Sequence, residues 1–180
     1  RPELTPSLAR MVAGRQALLP RPIRWWSFGP FWRYERPQKG RAREFFQWNV
    51  DLLGVDSPAA DAELAAVGVT FFRLVGLTPA EIRLKFNNRR LMDGEIAALG
   101  LTEIKAKVFR LIDRREKMSP EAWANYAGEQ GLTPEQFEGL KAVLNNRDLW
   151  RKSDEARDFV AAAEALGVAD FLEYDPTVIR

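Results

Sequence analysis

Two stretches of the chain alternate between apolar and polar residues, which is the period of a β-strand with one buried face. In the second stretch, positions 45–53, the apolar side carries Phe46, Trp48, Val50 and Leu52, and the polar side carries Gln47, Asn49 and Asp51. In the first, the apolar side carries Trp32 and Tyr34, and the polar side carries Arg33 and Glu35. The connection between them contains a proline and a glycine, so the pattern predicts a long antiparallel hairpin.

Helical periodicity is found on both sides of this hairpin. Residues 5–19 predict an amphipathic helix that begins at Thr5-Pro6, and Ser57-Pro58 opens a second helix. We expect the second helix to bury large apolar side chains, those of Leu64, Val67, Phe71 and Leu74. A short strand over 82–86 follows, and then a helix from Asn88 to Leu99.

The alternation disappears between 101 and 166. Four helices are predicted there, near 103–116, 120–130, 134–145 and 153–166. Their expected N-caps are Thr102, Ser119, Thr133 and Ser153, because hydroxyl side chains accept hydrogen bonds from the first free N–H groups of a helix. Thr133 and Gln136 also have the spacing of a capping box.

This order of elements predicts an α+β fold, in which an antiparallel sheet with flanking helices is interrupted by a helical insertion. The predicted division is a core over 1–100 with the hairpin at 31–53, an insertion over 101–166, and a return to the core over 167–180. Because the chain begins with Arg1 and stops after an extended-looking stretch, we expect it to be part of a longer protein.

Composition excludes several kinds of enzyme. With no Cys and no His, the chain has no thiol nucleophile, no imidazole base and no zinc site of the usual ligands. The net charge of +2 is weak evidence for a nucleic-acid partner. No apolar run approaches the roughly 20 residues of a membrane-spanning helix, and no signal peptide is evident, so we expect a cytoplasmic protein that does not enter a membrane.

Arginines are concentrated on the predicted hairpin. Arg33 lies on its polar face, and the connecting loop adds Arg36, Arg41 and Arg43. Arginine is preferred where planar, forked donors bind phosphate or carboxylate. Several arginines beside carboxylates therefore indicate a polyphosphate next to an amine, whereas the alternative is a charged hairpin that only faces water.

Three segments of the sequence resemble one family. Residues 31–51, FWRYERPQKGRAREFFQWNVD, resemble motif 2 of class II aminoacyl-tRNA synthetases in the form found in histidyl-tRNA synthetases. RPELTP at 1–6 resembles the R-P-E-x-T segment of that family, and VIR at 178–180 resembles the start of its R-G-L-D-Y-Y motif. The resemblance extends over essentially the whole chain and implies a class II catalytic core.

The resemblance implies an ATP site. Arg33 would hold the α-phosphate with help from Arg180, which makes these two the catalytic residues, and Arg41 would reach the β- and γ-phosphates. Phe45 would stack on adenine, its alternative being an ordinary core residue. Glu35 would lie near the adenine amino group or the loop backbone, or else pair with Arg33.

The resemblance also implies a histidine site and a reaction. Glu3, Thr5, Gln47 and Asp51 would bind the amino group and side chain of histidine. The carboxylate of histidine would attack ATP, with Mg²⁺ held mainly by phosphates and water, and the histidyl group would pass to tRNA(His). No protein metal ligand is implied. The family implies a homodimer for the full-length protein.

Two other functions are compatible with parts of the pattern. A paralogue of this synthetase is the regulatory subunit of ATP phosphoribosyltransferase and does not aminoacylate, but the arginines expected of the ATP site are all present here. A simple RNA-binding module would need exposed aromatic residues, whereas most Trp residues are predicted on the apolar side of the strands. The sequence therefore favours the synthetase.

Overall fold

The computed structural model describes residues 1–36 and 38–179, which form two compact units. The first extends from Arg1 to Ala60, and the second begins at Asp61. The domain division expected from the sequence remains a prediction, and the two units are described separately below.

The first unit is built around the predicted hairpin. Helix α1, Thr5–Ala13, precedes strand β1, Ile23–Trp32, which pairs antiparallel with β2, Glu44–Leu53. Phe31 lies opposite Phe45 in the register, and the ladder continues past the strands because Arg33 N donates to Arg43 O at 2.9 Å. Helix α1 is shorter than expected, and Leu4 rather than Thr5 occupies its N-cap position.

The expected burial of the apolar face of the hairpin is wrong. Trp26, Phe28 and Phe46 are 71%, 65% and 63% exposed, and Tyr34 is exposed as well. The opposite face, which carries the polar residues of β2, is the better covered one. Alternation determines which side chains share a face, but it does not say which face another layer covers.

The second unit contains most of the helices. Its elements are α2 (Pro58–Leu74, which begins at the boundary), β3 (Leu84–Phe86), α3 (Arg89–Ala98), α4 (Lys105–Arg114), α5 (Pro120–Glu129), α6 (Pro134–Asn145), α7 (Asp154–Ala165) and β4 (Leu172–Tyr174). The main core includes Met92, Leu111 and Leu140, and a second cluster includes Val69 and Phe171. Strands β3 and β4 pair in parallel, so the antiparallel pairing is confined to the hairpin among the described strands.

The predicted buried face of α2 is also wrong. The helix buries Ala62, Ala65 and Val69, whereas Leu64 and Phe71 are exposed. Both sets of residues have helical spacing, and the smaller side chains allow the helix to approach its neighbours closely. The size of the apolar side chains alone therefore predicts the wrong buried face of α2.

Three of the four predicted N-caps of the helical module are confirmed. Ser119 and Ser153 accept from the backbone N–H groups of Ala122 and Ala156. Thr133 forms the predicted capping box with Gln136, and the Gln136 side chain also donates to Leu99 O at 3.1 Å. Thr102 is the exception, since it lies inside a short 3₁₀ turn and its side chain makes no capping bond.

Thr133→Ala is expected to lower the free energy of unfolding by about 1 kcal/mol, because an N–H at the start of α6 loses its partner. Thr102→Ala is the matched control, and its expected effect is within about 0.5 kcal/mol. Chemical denaturation of both variants measures the difference. Equal losses would contradict the role of the cap.

Candidate functional site

The N-terminal segment is hydrogen-bonded to the end of β1. Arg1 O accepts from Trp32 N at 3.0 Å, and Pro2 O accepts from Arg33 Nε at 2.8 Å. These two bonds place Glu3 beside Arg33, with 3.3 Å between Glu3 Oε2 and Arg33 Nη2. Residues far apart in the sequence are thereby brought to one place.

The Glu3 carboxylate accepts hydrogen bonds from the two residues that follow it. Its Oε1 accepts from Leu4 N at 2.8 Å, and Thr5 N and Oγ1 each lie at 3.4 Å from the same atom. The backbone hydrogen bonds from Leu4 and then Thr5 lower the pKa of Glu3, and the charge of Arg33 adds to this effect. Glu3 is therefore ionised at neutral pH.

Four charged side chains alternate in sign along this edge of the unit. After Glu3 and Arg33 the series continues to Glu35, whose Oε1 lies 3.9 Å from Arg33 Nη1, and to Arg41, whose Nε lies 2.6 Å from Glu35 Oε2. The ion pair of Glu35 with Arg33 was one of the roles left open by the sequence. One carboxylate thus holds two guanidinium groups next to each other.

The loop between the strands brings Arg41 back toward the hairpin. Arg41 N donates to Gln38 O at 3.0 Å, which closes a tight turn. Gly40 in this turn has φ 76°, a left-handed conformation in which other residues are strained. A glycine at the loop tip therefore allows Arg41 to fold over the cleft.

The paired charges line an open cleft of about 280 Å³, which is bounded by Arg33, Glu35, Gly40, Arg41, Ala42 and Phe45. The Arg33 guanidinium carbon is 5.0 Å from the centre of the Phe45 ring. The buried Phe31 ring stacks near Phe45 with 6.3 Å between ring centres. The cleft therefore combines forked cationic donors with an aromatic surface.

The same side of β2 carries a row of polar residues beyond Phe45. Gln47, Asn49 and Asp51 are half-buried and lie opposite Gly29, Ser27 and Trp25 of β1. Gln47 Oε1 and Asn49 Nδ2 are buried and have no hydrogen-bond partner among the described residues. The sequence placed Asn49 on this polar face but gave it no role, because alternation does not reveal which polar atoms lack a partner.

The structure thus brings most of the predicted site residues together. Those predicted for ATP meet at the cleft, Glu3 and Thr5 adjoin Arg33, and Gln47 and Asp51 follow along the same side of β2. Arg180, the remaining predicted residue, lies outside the described residues. Arg43, another arginine of the connecting loop, stacks on Tyr34 with 4.4 Å from its guanidinium carbon to the ring centre.

The described part of the chain offers neither a metal cluster nor a membrane span. Across residues 1–36 and 38–179, no group of three or more acidic, His or Cys side chains is positioned to hold a metal ion. Over the same residues, no helix has the length and apolar character needed to cross a bilayer.

Comparisons with known proteins identify the family. The sequence model of the histidyl-tRNA synthetase family matches residues 1–175. A histidine-tRNA ligase of Halobacterium salinarum is 39% identical over 191 aligned positions, which cover 99% of this chain and 44% of that protein. The chloroplastic/mitochondrial histidine-tRNA ligase of Arabidopsis thaliana is 32% identical, with 100% of this chain and 39% of that protein covered.

Solved structures have the same fold. A histidyl-tRNA synthetase from Nostoc superposes with a TM-score of 0.82 at 21% identity, over 100% of this chain and 46% of the other. A protein from Bacillus halodurans described as an ATP phosphoribosyltransferase regulatory subunit/histidyl-tRNA synthetase gives 0.76 at 18% identity, over 99% of this chain and 50% of the other. The chain spans less than half the length of the curated relatives above. Since the family's sequence model matches nearly the whole chain, the chain belongs to the histidyl-tRNA synthetase family.

Proposed function

We propose that this chain binds ATP and histidine as the catalytic part of a histidine-tRNA ligase, which forms histidyl-adenylate and then charges tRNA(His). The observation that carries the proposal is the array of Glu3, Arg33, Glu35 and Arg41 around the cleft next to Phe45. Its curated relatives are histidine-tRNA ligases, which supports the same function. The complete protein would act as a homodimer.

The proposed first step needs no side-chain nucleophile. The carboxylate of histidine attacks the α-phosphorus of ATP, a P–O bond to the carboxylate forms, and the bond to pyrophosphate breaks. Orientation and stabilisation of negative charge are what the protein supplies. This suits a chain with no Cys and no His.

Arg33 and Arg41 are the proposed phosphate donors. Arg33 would contact the α-phosphate, where charge develops in the transition state, and Arg41 would contact the β- and γ-phosphates from the loop. Mg²⁺ bound to the phosphates would neutralise part of their charge. Arg180 is proposed as a second donor at the α-phosphate from the family resemblance.

Glu35 has a proposed positioning role. Two guanidinium groups close to each other repel, and a carboxylate between them reduces that repulsion before the nucleotide arrives. Phosphate oxygens would then replace Glu35 as the partner of Arg41, whose side chain is half exposed. The adenine base would stack on Phe45.

Histidine would bind between the N-terminal segment and the polar side of β2. Ionised Glu3 would pair with the ammonium group of the amino acid, with Thr5 beside it. Gln47 and Asp51 would contact the ligand from the polar side of β2. The regulatory-subunit alternative is not favoured, since the two curated relatives described above are histidine-tRNA ligases and both Arg33 and Arg41 line the cleft.

The experiment that tests the function is histidine-dependent exchange of pyrophosphate into ATP by the complete gene product. Exchange with histidine and not with other amino acids is the expected result. A protein that binds histidine yet shows no exchange would instead match a regulatory subunit.

Glu3→Gln is expected to raise the KM for histidine in this assay about tenfold, because the ammonium group loses its ionic partner. Glu44→Gln, which neutralises an exposed carboxylate of β2, is the control and should leave KM unchanged. An unchanged KM in Glu3→Gln would remove Glu3 from the histidine site.

A further inference from the structure

Two buried polar atoms on the polar side of β2 have no hydrogen-bond partner among the described residues. Gln47 Oε1 is an acceptor and Asn49 Nδ2 is a donor, and both atoms are buried. A buried polar atom without a partner costs about 1–3 kcal/mol, so native structures rarely keep one unless water or a ligand satisfies it. Two such atoms, two residues apart on one strand face, therefore point to a polar ligand.

The opposite strand, β1, has small residues that leave room for such a ligand. Gly29 faces Gln47, and Ser27 faces Asn49, so the two smallest side chains of this stretch lie opposite the two unpartnered groups. Apart from Gly29 and its two neighbours in the chain, no heavy atom lies within 4 Å of the position that a Cβ of Gly29 would occupy. In the register, the pair Phe31 and Phe45 precedes these positions of β2, and the pair Trp25 and Asp51 follows them.

The hydrogen-bond donors and acceptors on this side of β2 match a neutral imidazole. That ring has one N–H and one unprotonated (bare) nitrogen, so a site that forms a hydrogen bond with each nitrogen needs one acceptor and one donor. The Asp51 carboxylate is an acceptor, and Asn49 supplies the donor two residues away on the same strand face, about 6.6 Å along the strand. Gln47 Oε1 remains as an acceptor for the ammonium group.

We propose that Asn49 is a further specificity-determining residue, whose Nδ2 donates a hydrogen bond to the bare ring nitrogen of histidine while Asp51 accepts from the ring N–H. This inference rests on the proposed function. The Asn49 side chain would then select for a ring that has an acceptor nitrogen. An analogue without that nitrogen would leave Asn49 Nδ2 buried and unpaired.

The test compares histidine with the two pyrrolylalanine isomers in the exchange assay, using the complete gene product. Each isomer keeps one N–H, and each has a C–H group where histidine has its bare nitrogen. The unaltered protein should favour histidine over both isomers by at least about a hundredfold in kcat/KM. Asn49→Ala should lower kcat/KM for histidine by about 10- to 100-fold, with little effect on the isomers, so that the preference falls at least tenfold.

Two further variants make the result decisive. Asn49→Asp keeps the size of the side chain but replaces the donor with an acceptor, so it should lose the preference as well, even if the alanine variant folds poorly. Gln16→Ala removes an exposed amide from the same unit and should keep the preference.

If both Asn49 variants keep the full preference for histidine, Asn49 holds only water and the inference is overturned. If the unaltered protein catalyses no exchange with histidine, the proposed function itself fails. The two failures are therefore distinguishable.

Discussion

Replacing Arg33 with alanine should lower the rate constant of histidine-dependent pyrophosphate exchange by about a hundredfold or more. A donor directed at developing charge on the α-phosphate contributes about 3–4 kcal/mol to the transition state, which corresponds to that loss. Arg33 is also the central group of the site, since it touches Pro2 O, Glu3, Glu35 and the ring of Phe45. Its loss would leave two carboxylates facing the incoming ATP.

Arg33→Lys separates positive charge from geometry. A lysine keeps the charge but cannot reproduce the fork that reaches Pro2 O, Glu3 and Glu35 together, so little of the activity should return. Arg15→Ala, at an exposed arginine of the same unit, is the control and should retain full activity. If Arg33→Ala raised only the KM for histidine, Arg33 would serve to position Glu3 and would not act on phosphate.

Local patterns predicted the hairpin and its arginine-rich polar side, and the family resemblance assigned the ATP-binding roles of the residues around the cleft. Strand alternation placed Phe45, Gln47 and Asp51 on one side of β2, and the structure confirms this. The proline and glycine of the loop indicated the return that carries Arg41 over the same side. Glu3 came from a family motif, since nothing local signals that the N-terminal segment bonds to the end of β1.

The errors came from packing that local patterns do not encode. The aromatic face of the hairpin and the large apolar stripe of α2 were both expected to be buried, and most of their large side chains are exposed. A periodic stripe shows that residues share a face, whereas burial depends on which layer is placed against it. The unpartnered amide of Asn49 could not be predicted from a local pattern either, because the absence of a hydrogen-bond partner is visible only when the positions of all neighbouring atoms are known.

The parallel pairing of β3 with β4 is another non-local feature, and an ion-pair cluster forms beside it around one buried carboxylate. Asp175 follows β4 directly, is 2% exposed and carries the ionised group around which the cluster forms. Lys85 Nζ of β3 lies 2.8 Å from its Oδ2, and Arg147 Nη1 lies 3.0 Å from its Oδ1. Thr177 donates to the same Oδ1 from both its N and its Oγ1, at 3.0 and 2.7 Å.

This cluster fixes the course of the chain after β4. Val178 N donates to Asp175 O at 3.1 Å, and Asn87 Nδ2 donates to the carbonyl groups of Pro176 and Val178 at 3.2 and 3.0 Å. Backbone and side chains thus hold both sides of the turn over residues 175–178. One buried carboxylate ties together β3, the segment after α6 and the segment after β4.

The ionised state of Asp175 makes the cluster sensitive to acid. Burial acts to raise the pKa of Asp175, but the hydrogen bonds from Lys85 and Thr177 and the charge of Arg147 outweigh it, so the pKa lies well below its usual range. A carboxylate with a lowered native pKa stabilises the fold above its unfolded pKa of about 4, and this contribution declines as the pH falls toward the native pKa. The loss should therefore begin below about pH 5.

Asp175→Ala is consequently expected to lower the free energy of unfolding by about 2–3 kcal/mol, because the hydrogen bonds from Lys85, Arg147 and Thr177 lose their shared acceptor, although both cations are half exposed and remain solvated. Denaturant titration at pH 7 and at pH 4 measures this loss, which should be slightly smaller at pH 4 because Asp175 of the unfolded chain is then partly protonated while the native carboxylate stays ionised. Glu173→Gln is the matched control: this carboxylate is also near Arg147, at 3.9 Å, but it is partly exposed, so its loss should cost less than about 1 kcal/mol. Similar losses in the two variants would contradict the argument, since they would show that burial and the shared hydrogen bonds of Asp175 add nothing beyond a surface ion pair.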